Sequence, residues 1–179
     1  QGLLKEDHMG ELHVFQPVNP EDLETGPYKF VGDKVLITAE AGGKINTMCA
    51  AWGGAGYIWD KRVTFIFARK GRYTRELISA SGEYSISFLN QEKYRGTLKY
   101  LSMVSGRDED KITNSRLNIN YHDGIPFIDE AREVITCRVL YEREFDEDAL
   151  IDDEIKEKFY NNGDYHILFI GEVKTILLR

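Results

Sequence analysis

Cysteine, proline and long apolar runs are all scarce in this chain of 179 residues. Its two cysteines, Cys49 and Cys137, are too few for a disulfide framework or a four-ligand zinc site, and they read as reduced thiols of a cytosolic protein. No apolar stretch exceeds about six residues, against the 18 or more that a membrane helix needs. Residues 1–15 are charged and hold no apolar segment of the signal-peptide kind, so a cytoplasmic location is expected, with no membrane partner. Excess positive charge is also missing. The chain carries 23 basic and 30 acidic side chains, a net charge of −7, which excludes a general nucleic-acid binder. There is no phosphate-binding G-x-x-x-x-G-K-[ST] loop, no H-E-x-x-H, no EF-hand loop and no G-x-S-x-G. The four histidines, His8, His13, His122 and His166, have no metal-ligand spacing. Gly54-Ala55-Gly56-Tyr57-Ile58-Trp59 begins like a dinucleotide fingerprint, but Trp59 stands where the third glycine belongs. No internal repeat is present.

What is present suits one folded domain over residues 1–179. Apolar residues make up 42 % of the chain, enough for a core. Three of the four prolines, Pro17, Pro20 and Pro27, fall in a lead-in over residues 1–30 that reads as extended. Beyond it, strand signals dominate. Residues 34–41 and 44–51 flank Gly42-Gly43 and predict a hairpin. Residues 62–68 form a nearly continuous apolar run, which predicts a strand covered on both faces. Residues 83–89 alternate with period two and predict a half-buried strand. Residues 133–145 and 165–178 predict two long strands, the second broken or bulged near Gly171. Shorter helices are predicted over 74–80 with Thr74 as N-cap, around Tyr94, Leu98 and Leu101, over 108–114 and over 152–159. Tightly joined strands with helical excursions give a mainly β fold, a barrel rather than parallel α/β layers.

Three stretches carry chemistry. Arg69-Lys70-Gly71-Arg72-Tyr73-Thr74-Arg75 places four cations between a predicted strand and a predicted helix. There they and the free N–H groups of a helix start can surround one anion, with Arg69 and Arg72 as a bidentate clamp and Thr74 as a hydroxyl donor. The same residues also suit a solvated charged turn. Ser105-Gly106-Arg107-Asp108-Glu109-Asp110-Lys111 is a Ser-Gly turn entering an acidic helix start, which ordinary capping also explains. Asn46-Thr47-Met48-Cys49-Ala50-Ala51-Trp52-Gly53-Gly54 combines small residues, hydrogen-bonding groups and a Trp that can cover a ring face, or it is a strand packed tightly on its neighbour.

Together, Asn46-x-Met48-x-Ala50-x-Trp52-Gly53-Gly54, Arg69-x-x-Arg72-Tyr73-Thr74 and Ser105-Gly106-Arg107-Asp108-x-Asp110-Lys111 resemble the flavin reductase-like family, nearest its flavoredoxin-type branch. The order and spacing match over residues 35–111, and Gly163-Asp164-Tyr165-His166 with Ile170-Gly171-Glu172-Val173 is similar too. The resemblance implies an FMN-binding split β-barrel and a homodimer with FMN near the subunit interface. It implies hydride transfer from NADH or NADPH to bound flavin and on to an acceptor. The alternative is a flavoredoxin-like FMN electron carrier with little turnover of its own.

By the same resemblance, Asn46, Thr47, Met48, Ala51 and Trp52 bind the flavin ring, and Arg69, Arg72, Tyr73 and Thr74 hold the phosphate. Ser105, Gly106, Arg107 and Lys111 complete the phosphate and ribityl contacts, and His166 sits near the ring or the interface. No catalytic side chain and no metal are implied. Cys49 and Ala51 depart from the pattern where hydroxyl residues are common, and Lys70-Gly71 replaces a more usual Pro-Ser pair. Fewer hydroxyls mean fewer hydrogen bonds to the ring.

Overall fold

The computed structural model describes residues 33–179; the extended lead-in expected over residues 1–30 lies outside them. Seven strands form one antiparallel sheet in the order β2-β1-β5-β8-β9-β4-β3. They are β1 (Val35–Ala41), β2 (Lys44–Ala50), β3 (Gly53–Ile58), β4 (Lys61–Arg69), β5 (Glu83–Phe88), β8 (Glu133–Glu144) and β9 (His166–Leu178). The sheet curls without closing, because β2 and β3 remain unjoined edges. A separate hairpin, β6 (Ile119–His122) and β7 (Ile125–Ile128), lies against β1 and β5. Four helices complete the fold: α1 (Tyr73–Ser81), α2 (Arg95–Met103), α3 (Lys111–Ser115) and α4 (Asp153–Phe159).

The β1–β2 hairpin turns at Gly42 and Gly43, both at positive φ (57° and 74°), as a tight two-residue connection requires. β3 escapes sequence reading because its turn into β4 holds no glycine and places Trp59, a residue rarely found there, at φ 54° beside Asp60 at φ 55°. The β6–β7 hairpin carried a legible signal, Asp123-Gly124. β9 runs unbroken. The expected irregularity appears instead in its pairing with β8, as register shifts between Thr136 and Cys137 and between Val139 and Tyr141, the second opposite Gly171.

The core has two compartments, and β1 separates them. Val35, Ile37 and Ala39 face a cluster with Ile66, Tyr84, Phe169 and Ile78 of α1; Leu36 faces another with Leu98 and Leu101 of α2 and Ile128 of β7. Two burial expectations are corrected here. β4 is not covered on both faces, since Phe65 and Phe67 are only partly buried. β5 is not half-exposed, since β7 covers its hydroxyl face. Ser85 Oγ donates to Pro126 O at 2.6 Å, and Ser87 Oγ accepts from Ile128 N at 3.1 Å, so the polar alternation is satisfied internally. Inside the first compartment, Thr64 Oγ1 contacts Tyr84 Oη at 2.7 Å and Cys137 Sγ at 3.1 Å. Burial pushes the Cys137 thiol up to about 11, so it stays protonated.

Candidate functional site

Two adjoining clefts open where the end of β2, the end of β4 and the start of α1 meet. The wider one, of about 280 Å³, is lined by Met48, Cys49, Ala50, Ala51, Trp52, Phe67, Ala68, Arg69, Arg72 and His166. The narrower one, of about 160 Å³, is lined by Asn46, Met48, Gly71, Arg72, Tyr73, Thr74, Ser105, Gly106 and Lys111. Met48 and Arg72 belong to both and form a shared waist.

The narrow cleft is cationic. Arg72 sits at the N-cap of α1 with extended backbone (φ −70°, ψ 135°), and its side chain caps nothing. Thr74 therefore lies inside the helix rather than at its cap, and its hydroxyl accepts from Asn46 Nδ2 at 3.1 Å. The N–H groups of the first turn of α1 point out of the helix start, as at any uncapped N-terminus. Lys111, at the start of α3, is 2 % exposed. Among the described residues its ammonium makes a single, long hydrogen bond, from Nζ to Val104 O at 3.4 Å. Neither Lys111 nor Arg72 pairs with a carboxylate among the described residues. Burial first, and the Arg72 charge second, pull the Lys111 ammonium down to about 8. Gly106 closes the cleft against Asn46: a Cβ there would stand 2.3 Å from Asn46 Oδ1.

Arg107 does not line the narrow cleft. It donates to Gly71 O at 3.3 Å, pairs with Glu76 and lies 5.3 Å over the Tyr73 ring. It thus ties the 105–110 turn to α1. Ser105 Oγ accepts from Arg107 N at 3.2 Å and holds the same turn.

The wide cleft is aromatic on one wall and charged on the other. Trp52, half exposed, packs edge-on against Phe159 (5.3 Å) and tilted against His166 (5.4 Å). Arg69 has its Nη1 committed to Asp164 O at 2.7 Å and Phe159 O at 3.1 Å. It anchors the segment after α4 instead of pairing with Arg72 as a clamp. His166 pairs across the sheet with Arg69 and is 8 % exposed. Its Nδ1 contacts Tyr160 Oη at 2.7 Å. Burial, then the Arg69 charge, pull the His166 imidazolium down to about 4, against the opposing pull of Asp164, so the ring is neutral near pH 7.

The folded chain brings together Asn46, Met48, Ala51, Trp52, Arg69, Arg72, Tyr73, Thr74, Ser105, Gly106, Lys111 and His166 around the joined clefts. Thr47 is turned away: its hydroxyl bonds Thr38 Oγ1 at 3.0 Å and Ile37 O at 3.1 Å on β1. Phe67, Ala68, Phe159 and Tyr160 were not singled out in the sequence. The first two carried a weak signal in preceding Arg69 on one strand; the last two carried none.

A family model described as a flavin reductase like domain matches residues 28–179. The chain belongs to this family. Its unclosed, mainly β barrel with helical excursions is the split-barrel fold of FMN-binding flavin reductases. Flavoredoxin from Methanosarcina acetivorans superposes with a TM-score of 0.66 at 20 % identity, over 93 % of this chain and 76 % of that one. An FMN-binding protein from Thermus thermophilus, solved with bound p-hydroxybenzaldehyde, gives 0.65 at 19 % identity, over 94 % and 82 %. The styrene monooxygenase flavin reductase of Pseudomonas putida S12 gives 0.59 at 17 % identity, over 82 % and 79 %. At such identities the likeness is one of fold. No curated protein matches the sequence. Among the described residues, no helix of this family member is long and apolar enough to cross a membrane, and no group of three or more His, Cys, Asp or Glu is placed to hold a metal.

Proposed function

We propose that the joined clefts bind FMN and that the protein is an oxidoreductase taking hydride from NADH or NADPH. The observation that supports this most is the pair Lys111 and Arg72. A buried ammonium and a guanidinium converge on one small cleft with no carboxylate among the described residues to neutralise them. Burying unpaired cations is costly, and a phosphate group removes that cost. The donor set suits the group: Arg72, Lys111 and the first-turn N–H groups of α1 for the phosphate, Ser105 and Asn46 for the ribityl hydroxyls, and Met48, Cys49, Ala51, Trp52 and His166 for the ring. Gly106, lacking a Cβ, lets the Asn46 side chain pack against its backbone at the cleft wall.

FMN, when bound, would supply the redox chemistry of hydride uptake and electron release. The chain's part is to hold and orient. Arg72 and Lys111 neutralise the phosphate, Trp52 and Phe159 shield one side of the wide cleft from water, and neutral His166 offers a polar edge without adding a charge. A nicotinamide needs no dinucleotide-binding motif when it stacks briefly on an open ring face. The exposed apolar rim of Trp52, Tyr57, Ile58 and Trp59, in and around edge strand β3, supports a homodimer.

The test is binding and turnover together. The purified protein is expected to carry or take up FMN, and Arg72→Glu is expected to weaken FMN at least tenfold while leaving riboflavin nearly unchanged. Equal losses for both ligands would refute the phosphate assignment. With NADH or NADPH and an acceptor, oxidation above the free-flavin rate supports the enzyme. Its absence alongside tight FMN binding assigns the electron-carrier role instead.

A further inference from the structure

We propose that Tyr160 is a positioning residue: by donating its phenol proton to His166 Nδ1, it fixes the imidazole as the Nε2–H tautomer and makes it a neutral hydrogen-bond donor to the ring edge of the bound flavin. This rests on the FMN reading above.

The geometry is specific. Tyr160 and His166 are 6 % and 8 % exposed, and their polar atoms meet at 2.7 Å. Tyr160 lies just past the end of α4 and His166 opens β9, so a short loop brings them together. That loop is pinned by Arg69 Nη1 through Phe159 O and Asp164 O. The Tyr160 ring is itself held, stacked on Tyr165 at 4.7 Å with 18° between planes, and Arg69 lies 5.6 Å over it. Among the described residues Tyr160 Oη has no other hydrogen-bond partner, so a phenol proton turned away from His166 Nδ1 would be buried without an acceptor, which favours Nδ1 as the acceptor. A neutral imidazole that accepts at Nδ1 carries its own proton on Nε2.

Neutrality follows from the surroundings. The charged groups acting on His166 are Arg69, Arg72 and Asp164; both guanidiniums oppose an imidazolium, and only Asp164 favours one. The phenol stays protonated because burial raises Tyr160, with Arg69 pulling the other way. His166 also lines the wide cleft, whereas Tyr160 does not. The phenol thus takes up Nδ1 and leaves Nε2, without a partner among the described residues, as the polar atom that His166 can present to the cleft. A fixed donor at a ring edge favours the more electron-rich state of a flavin.

The test has two independent arms. In ¹⁵N NMR of the apoprotein near pH 7, His166 is expected to show the Nε2–H tautomer, and Tyr160→Phe is expected to give a mixture of tautomers. Phe keeps the ring that stacks on Tyr165. The wild-type spectrum needs no variant, so a variant that fails to fold does not protect the proposal. An Nδ1–H tautomer or an imidazolium in the wild type overturns it. In the second arm the midpoint potential of bound FMN is measured. Tyr160→Phe is expected to lose about tenfold in preference for reduced over oxidised FMN, a fall of about 30 mV for a two-electron couple. An unchanged potential with FMN fully bound overturns the donor role. If FMN does not bind at all, the function proposed above falls and the donor role with it, while the tautomer arm still reads the Tyr160–His166 bond alone.

Discussion

A methyl group on Gly106 has nowhere to go. It would meet Asn46 Oδ1 at 2.3 Å and its Cγ at 2.5 Å, and Asn46 is itself buried and bonded to Thr74. Gly106→Ala is therefore expected to displace Asn46 from the narrow cleft and weaken FMN about tenfold or more, at a cost to stability of about 1–3 kcal/mol. Isothermal titration and a denaturant midpoint on the same samples check both. Lys111 adds a pH signature. Its ammonium is depressed from 10.5 to about 8, so above that pH the free protein loses the cation that a phosphate needs. FMN affinity is expected to fall by up to about tenfold per pH unit above pH 8, with riboflavin unaffected, as fluorescence titration across pH 7–10 will show. The unfolded chain keeps that proton up to its ordinary value, so apoprotein stability from this group rises with pH between about 8 and 10.5. At this scale the sequence was informative where charge or a special residue type is rare. Arg72, Lys111 and Gly106 stood out in an acidic chain. The reorientation of Thr47 toward β1 and the commitment of Arg69 to two carbonyls were not legible, because each depends on a partner distant in sequence.

Gly171 governs how two strands meet. It sits opposite Val139, beside a register shift in β8, and a Cβ there would stand 2.2 Å from Tyr84 Oη and 2.7 Å from its Cζ. Tyr84 is fully buried and bonded to Thr64, so it has little room to retreat. Gly171→Ala is expected to cost about 1–3 kcal/mol by overpacking, and Tyr84→Phe in the same chain is expected to recover part of that loss. Additive losses in a double-mutant cycle by urea unfolding would contradict the contact. Most strands were legible as elements because period-two alternation and Gly-Gly mark them locally. β3 was not, since its sequence is rich in glycine and its turn has none. Which strand is covered on both sides was also misjudged. Covering belongs to α2 and the β6–β7 hairpin, and no strand's own sequence states what will be laid over it.

The molecule as a whole presents an unclosed sheet with an apolar rim at one edge. Trp52, Tyr57, Ile58 and Trp59 are 49, 69, 37 and 52 % exposed around β3, an arrangement that monomers rarely leave bare. Sedimentation is expected to give twice the 20.6 kDa chain mass at micromolar concentration, and Tyr57→Asp to shift the population toward single chains. A single-chain mass for the wild type would refute the dimer. The overall charge of −7 also acquires a shape. Nine acids between Glu142 and Glu157 gather along the end of β8 and α4, while Arg72 and Lys111 turn inward. The waist formed by Met48 and Arg72 has a further consequence. If FMN seats as proposed, its ring would occupy one chamber and its phosphate the other, and the joined clefts would act as a ruler. Such a ruler would reward a ligand whose flexible spacer lets both ends seat at once, and would discriminate by length between molecules that carry the same two ends.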